Sequence, residues 1–163
     1  MDIFQKNFQK MNLDIIDKKL LTFLQEDCKQ TNKELSSKLN LSVTAVYERI
    51  KKLEREGVVK QYVSLLNKEK VDRGFLVFCQ IKLVQHAKEY LTKFEKEVTK
   101  LDEVLECFHV SGDYDYLLKV IVKDMPHFRS FMVTKLTTLK HIGSTHTSFT
   151  ISEVKNTTAI PLA

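Results

Sequence analysis

Basic side chains are concentrated in one short part of the sequence. The segment from Arg49 to Lys60 contains five lysines and arginines but only two acidic residues, Glu54 and Glu56. A basic patch of this kind is what binding to a phosphate backbone requires, because each contact releases condensed counterions. The same composition is also common on a solvated helix face. The segment therefore predicts a nucleic-acid interface only if the surrounding elements can present it to a duplex.

Cysteine and histidine, the other residues able to do chemistry, are scattered. Cys28, Cys79 and Cys107 form no CxxC pair and have no HExxH or HxxxH pattern nearby. We expect all three to be buried as small apolar side chains. No Ser/His/Asp order, phosphate-cradling glycine loop or paired-carboxylate motif stands out. We predict no metal site, no cofactor and no enzymatic activity.

Length and composition set limits on the class of protein. The chain has 163 residues, of which 43% are hydrophobic and 29% charged, with a formal net charge of +5. This composition is globular, and the length suits one domain or two small ones rather than a full dinucleotide-binding enzyme. The first residues lack the apolar core of a signal peptide, and no stretch approaches the roughly 18 to 20 apolar residues of a membrane span. We predict a cytoplasmic protein with no membrane partner.

Three helices are predicted in the first sixty residues. Leu13 to Gln25 is amphipathic with a helical period. Thr31 and Glu34 have capping-box spacing and would open a second, short helix. Asn40 tolerates the left-handed conformation of a tight turn, and Ser42 is a suitable N-cap for the third helix. The basic segment therefore begins within the third helix.

The third helix has one apolar stripe, formed by Val46, Ile50 and Leu53. After it, the run from Gly57 to Val63 has the composition of a small hairpin or wing. Together these elements predict a winged helix-turn-helix, with the motif at about residues 32–51 and the third helix in the major groove of double-stranded DNA.

The start of the third helix would meet base edges or phosphates, and its basic residues would hold phosphates. Packing against the wing is an alternative role for Tyr47, and a surface position or an ion pair with a neighbouring lysine is one for Glu48. The candidate DNA-binding residues are Asn32, Lys33, Ser42, Thr44, Ala45, Tyr47, Glu48, Arg49, Lys51, Lys52 and Arg55.

From Gly74 the pattern changes to alternating strands and helices. The expected strands are 75–84, 104–110, 116–122 and 143–151, and the expected helices are 90–101 and one opened by Pro126. This βαββαβ order predicts a ferredoxin-like unit of four antiparallel strands with two helices on one face. The fold class is therefore α+β. We predict an N-terminal tail and the DNA-binding domain in residues 1–62, a linker in 63–73, and the ferredoxin-like domain, which would also oligomerise, in 74–163.

The uncovered face of that sheet contains large apolar residues, so we expect two copies to pair through it. A homodimer also suits DNA recognition, because two recognition helices can then reach half-sites spaced by whole helical turns.

Three motifs occur in order in the first part of the chain: LDxxDxxLL from Leu13, NxELSxxLxLS from Asn32 and ERIxxLExxGVV from Glu48. This part resembles the DNA-binding domain of the leucine-responsive/asparagine-responsive (Lrp/AsnC, feast/famine) transcription regulators. The chain departs from the family pattern at Val43 and Ala45, where many members carry prolines. The run VSGDYDYLLKV and the closing VKNTTAIPL resemble the amino-acid-sensing domain of the same family.

The resemblance implies a sequence-specific transcription regulator that responds to a small amino acid and assembles from dimers into tetramers or octamers. In the family, the turn after the second strand of the sensing domain lies at a contact between dimers, where the amino acid binds. Carried over, the candidate effector-binding residues are Gly112, Asp113, Tyr114, Asp115, Thr145 and Thr147.

Two alternatives remain open from the sequence. A haem-precursor (sirohaem-type) decarboxylase group shares this architecture and uses histidines, of which the chain has His86, His109, His127, His141 and His146. Those enzymes do not need a basic recognition helix, which this chain retains. The other alternative is a metabolite-sensing protein that does not bind DNA, for which affinity for any duplex would be weak and insensitive to salt.

Overall fold

The computed structural model describes residues 12–162, so the expected N-terminal tail falls mostly outside the described residues. The chain forms two compact units. The first contains the described residues up to Ser64 together with those from Lys155 onward, and the second spans Leu65–Val154. The residues from Lys155 onward were predicted to belong to the second domain, but their contacts group them with the first unit.

Three helices build the first unit: α1 (Ile15–Glu26), α2 (Asn32–Leu39) and α3 (Val43–Arg55). Their local signals are confirmed. Thr31 and Glu34 form the capping box of α2, and Asn40 adopts the left-handed conformation after it, with φ of 53°. The buried faces of the three helices meet in one small apolar core, which contains Leu20, Leu21, Leu35, Leu39, Val46 and Leu53.

The run after α3 was predicted to be a small hairpin or a wing. The hairpin does not form, since residues 57–63 contain no strand. Gly57 ends the helix with φ of 69°. The N–H groups of Val58 and Val59 then both donate to the carbonyl of Leu53, at 2.9 and 3.2 Å. Both valines also pack against the helical core. These two residues are therefore committed to closing α3 and cannot form the ladder of a hairpin.

The C-terminal tail is attached to α1 through Gln25. The Gln25 side-chain amide donates to the carbonyl of Ile160 at 3.1 Å, and its oxygen accepts from the N–H of Ile160 at 2.6 Å. Leu162 packs against the same helical core. One side chain thus satisfies both backbone groups of a tail residue, which explains why the tail groups with the first unit.

The second unit has the expected βαββαβ order. Its elements are β1 (Phe75–Leu83), α4 (Lys88–Val98), β2 (Val104–His109), β3 (Tyr116–Val122), α5 (Met125–Thr134) and β4 (Ile142–Phe149), with short 3-10 turns at Glu69–Val71 and Leu136–Thr138. All neighbouring strands are antiparallel, and their order in the sheet is β2-β3-β1-β4. This confirms the ferredoxin-like prediction.

Alternation along the strands gives the sheet one buried face. Val77, Cys79 and Ile81 of β1 pack beneath Phe94 of α4 and Phe131 of α5. The intervening residues of β1 point to the opposite face, which neither helix covers. The main core of the second unit therefore lies between the two helices and one side of the sheet, although Leu76 of β1 is also buried on the other side.

The cysteines depart in part from the expectation. Cys79 is buried and Cys107 is half-buried, but Cys28 is exposed because it lies just beyond the C-terminus of α1. Burial raises the pKa of the Cys79 thiol to about 11. Within residues 12–162, no three His, Cys, Asp or Glu side chains are grouped as a metal ion would need. No helix in this range combines the length and apolar composition that crossing a membrane would require.

Candidate functional site

The N-terminal turn of α3 is exposed and capped. The Ser42 hydroxyl accepts from the N–H of Ala45 at 3.1 Å, as the sequence predicts. Thr44, Tyr47 and Glu48 are exposed, and Tyr47 keeps 46% of its surface accessible. The first turn of a helix has N–H groups without intrahelical partners, and its dipole favours anionic oxygen. This turn can therefore meet phosphates or base edges.

The basic residues further along α3 differ in what they contact. Lys52 is exposed and forms no ion pair with any residue in the described range. Lys51 donates to Glu54 at 2.8 Å and lies 5.8 Å from the centre of the Tyr47 ring. The hydrogen bond to Glu54 raises the pKa of Lys51, so its charge is retained. Lys52 is thus the α3 lysine most available to a phosphate.

Arg49 was predicted to contact a phosphate, but in the structure its guanidinium is paired with two carboxylates of the protein. Its Nη1 donates to Asp14, the N-cap of α1, at 2.7 Å and to Asp17, on the first turn of α1, at 2.5 Å. Asp17 is only 2% exposed. The N–H of Asp17 and the guanidinium of Arg49 lower the pKa of Asp14, and the hydrogen bonds to Asp14 and Asp17 raise the pKa of Arg49. Helix packing places Arg49 beside α1, a contact that periodicity within one helix cannot reveal.

The remaining DNA candidates lie at the ends of the motif. Asn32 is half-buried and Lys33 exposed on the first turn of α2. Arg55 is exposed at the end of α3, where its Nε is 3.5 Å from Glu56. Most of the candidates are therefore exposed, whereas Asn32 and Ala45 are half-buried and Arg49 is paired with α1.

The turn between β2 and β3 contains four of the candidate effector residues. Gly112 has φ of 123°, a conformation that L side chains rarely adopt, and Asp113 is exposed. Asp115 has its own partners: one carboxylate oxygen accepts from the N–H of Leu83 at 2.7 Å, and the other is 3.2 Å from Nδ1 of His86. Its side chain is only 13% exposed. Asp115 therefore holds the end of β1 to this turn.

Strand register divides the other candidates between the two faces of the sheet. Thr145 lies opposite Ile81 and Thr147 opposite Cys79, so both threonines point to the side covered by the helices. His146 lies opposite Gln80 and points to the uncovered side. The ring of Tyr114 is 6.1 Å from that of His146, between centroids. His146 was not among the predicted effector-binding residues. Strict alternation along β4 could have shown that it lies on the opposite face from Thr145 and Thr147.

Comparison with known proteins covers both units. The winged helix-turn-helix DNA-binding family matches residues 13–60, and the Lrp/AsnC ligand binding domain matches residues 76–160. The Leucine-responsive regulatory protein of Haemophilus influenzae is 41% identical over 150 residues, covering 92% of this chain and 90% of its own. The protein of the same name from Escherichia coli strain K12 is 41% identical over 144 residues, 88% of each chain.

Solved structures give the same result. A transcriptional regulator from Neisseria meningitidis in complex with L-Met superposes with a TM-score of 0.88 at 37% identity, covering 92% of this chain and 97% of that one. An AsnC family transcriptional regulator from Agrobacterium tumefaciens has a TM-score of 0.88 at 35% identity, covering 91% and 97%. The two matched domains, in this order and at this identity, show that the chain belongs to the Lrp/AsnC family of transcriptional regulators.

Proposed function

We propose that this regulator binds double-stranded DNA sequence-specifically through α3 and that a small amino acid modulates the binding. The observation that carries the DNA-binding part is the exposed face of α3. Its capped first turn, Thr44 and Tyr47 can meet base edges, while Lys52 and Arg55 lie further along the helix within reach of phosphates. Such a protein acts where the DNA is, which is the cytoplasm in bacteria.

Two copies are needed to read a site of ordinary length. We assign the pairing surface to the uncovered face of the sheet, where Phe78, Leu117 and Ile121 are half-buried and Phe108 is exposed. Apolar residues grouped on an open sheet face favour association with a second sheet. Assembly of dimers into tetramers or octamers is part of the same proposal, and size measurement with and without effector would test it.

The effector in this proposal is a small amino acid, because the matched domain is a ligand-binding domain and the related Neisseria regulator was solved with L-Met. We assign the contacts to the exposed Gly112 and Asp113 and the half-buried Tyr114 of the turn, together with His146. Thr145 and Thr147 face the helices, so an amino acid could contact them only from the helix-covered side of the sheet. Modulation requires that the amino acid bind one DNA-binding state or assembly better than another.

Salt dependence of DNA binding tests the first part. Fluorescence anisotropy with a duplex selected from a random pool should show log K falling linearly with log salt concentration. Lys52→Ala should reduce the slope by about 0.9, the value for one phosphate contact. Lys140→Ala, an equal change of charge in the second unit, should leave the slope unchanged. Weak, salt-insensitive binding to every duplex would instead favour the sensor that does not bind DNA.

A thermal-shift screen of the twenty amino acids, starting with methionine, tests the second part. A ligand present at 100 times its Kd stabilises the folded state by about 2.7 kcal/mol. We expect at least one amino acid to raise Tm, and His146→Ala to remove that shift. If no amino acid changes Tm or the size of the assembly, the effector proposal is wrong.

A further inference from the structure

We propose that Arg49 is a positioning residue that sets the orientation of α3 for DNA by binding the two capping carboxylates of α1. This inference rests on the proposed DNA-binding function and deepens it. It assigns roles to Asp14 and Asp17, which lie 35 and 32 positions before Arg49, respectively, and outside the helix-turn-helix motif.

Each carboxylate oxygen of the pair has a defined partner. In Asp14, Oδ1 accepts from the N–H of Asp17 at 2.7 Å and Oδ2 from Nη1 of Arg49 at 2.7 Å. In Asp17, Oδ2 accepts from the N–H of Asp14 at 3.4 Å and Oδ1 from the same Nη1 at 2.5 Å. The capping box that starts α1 is therefore also the anchor for the middle of α3.

The position of Arg49 on α3 determines what the anchor fixes. With about 100° between successive helical residues, Arg49 lies about 60° from Val46, at the edge of the buried stripe. Thr44 and Lys51 fall on the opposite side of the helix. Apolar contacts resist sliding of α3 but tolerate a small rotation about its axis. A hydrogen bond to a fixed carboxylate does not tolerate that rotation. The anchor therefore sets the rotation at which the exposed face meets the groove.

The negative charges of Asp14 and Asp17 make it possible to test whether these residues act by holding Arg49. Asp14 and Asp17 are negative groups in the DNA-binding unit, and simple electrostatics predicts that removing either would strengthen binding to a polyanion. If they act by holding Arg49, removing either should weaken specific binding. The effect of the charge and the effect of the position thus have opposite signs.

Two acidic variants separate these effects. Asp14→Asn is the milder one, because asparagine is as good an N-cap as aspartate and only the charge facing Arg49 is lost. Asp17→Asn removes the buried charge itself. Glu26→Gln is the matched control, since it removes one exposed negative charge from the other end of α1 without touching the anchor or a candidate DNA contact. Arg49→Gln removes the other partner.

The measurements are affinities for the selected duplex and for a scrambled one across a range of salt concentrations, at a temperature where circular dichroism shows each variant folded. We expect Asp17→Asn and Arg49→Gln each to reduce the ratio of specific to nonspecific affinity by roughly tenfold, the size of one lost base contact. Their salt slopes should match that of the unmodified chain. Asp14→Asn should change the ratio in the same direction, whereas Glu26→Gln should leave the ratio unchanged and weaken binding to neither duplex. The double variant Asp17→Asn with Arg49→Gln should be no worse than Arg49→Gln alone, because both changes break one interaction.

Other results would overturn the inference. A salt slope reduced by about 0.9 in Arg49→Gln, as for Lys52→Ala, would make Arg49 a phosphate contact. An unchanged specificity ratio in folded Asp17→Asn and Arg49→Gln would leave the anchor with a role in stability alone. Failure of the unmodified chain to bind any duplex with salt dependence would instead contradict the proposed function.

Discussion

The two candidate sites are built in different ways. The exposed face of α3 comes from one continuous segment, so its residues share a surface through helical period alone. The candidate effector residues come from the β2–β3 turn and from β4, which is paired to β1. Their positions relative to one another depend on strand register and on which face of the sheet each residue takes. A site on one helix is therefore fixed locally, whereas a site on a sheet is fixed by pairing.

Each site contains a charged residue that binds another element of the protein. Arg49 is paired with α1, and Asp115 accepts a hydrogen bond from the end of β1. Each was a candidate ligand contact because its charge suited the ligand. In both regions the residue at the edge of the buried core serves the fold, and the fully exposed neighbours remain available. Exposure separates these roles better than charge does.

The largest effect we predict concerns the two faces of α3. Leu53→Ala should lower the free energy of unfolding by about 2–5 kcal/mol, because Leu53 is fully buried in a small core. The neighbouring Lys52→Ala should change it by about 0.5 kcal/mol or less. Urea denaturation monitored by circular dichroism measures both. Equal losses would mean that the two faces of α3 are not distinct.

The next effect separates Asp115 from Asp113 within the turn. Asp115→Ala leaves the N–H of Leu83 without its acceptor and should cost about 1–3 kcal/mol. Asp113→Ala, on an exposed side chain, should cost about 0.5 kcal/mol or less. A variant that loses the amino-acid response while keeping full stability would restore Asp115 as a direct ligand contact.

The sequence predicted the elements well because their signals are local. The capping box at Thr31, the left-handed Asn40 and the N-cap Ser42 each act within four residues, and all three are confirmed. The order of the strands and helices followed from periodicity and turn composition. The run after α3 was predicted to be a hairpin or a wing, and only the hairpin was wrong, because the N–H groups of Val58 and Val59 donate to the carbonyl of Leu53 in the preceding helix.

The features that the sequence did not predict depend on contacts between residues far apart in the chain. The pairing of Arg49 with Asp17 spans 32 positions, and that of Gln25 with Ile160 spans 135. Neither has a spacing rule, because both depend on how helices or a tail pack. The exposed state of Cys28 has a similar origin, since it depends on where α1 ends relative to its neighbours.

A smaller effect tests the conformation of the turn. Gly112→Ala places a Cβ in open space, so any loss comes from the backbone conformation at φ of 123°. We expect a loss of about 1 kcal/mol or more in unfolding free energy. Gly74→Ala, at a position with ordinary contacts and no positive φ, is the matched control. A loss of amino-acid binding in Gly112→Ala without any loss of stability would show that the glycine serves close ligand approach instead.

The smallest effect we predict is on the pH dependence of stability, and it concerns Asp14, one of the two carboxylates that anchor α3. The pKa of Asp14 is lowered below its ordinary value of 3.8 by the N–H of Asp17 and by Arg49. The folded state therefore binds fewer protons than the unfolded state near that pH. The stabilisation is fully present above the ordinary pKa and is lost as pH falls through the lowered one. Asp14→Asn should thus flatten the dependence of unfolding free energy on pH between about pH 6 and about pH 2.

The control for this measurement is a cap that does not titrate. Ser42→Ala removes the N-cap of α3 and should cost about 0.5–2 kcal/mol by the same amount at every pH. The lowered pKa of Glu34, which the N–H and hydroxyl of Thr31 cause, keeps some acid dependence in both variants. The curve of Asp14→Asn should therefore be shallower than that of Ser42→Ala without becoming flat. Parallel curves would mean that Asp14 and Arg49 do not interact in solution, and α3 would then be held by its apolar stripe alone.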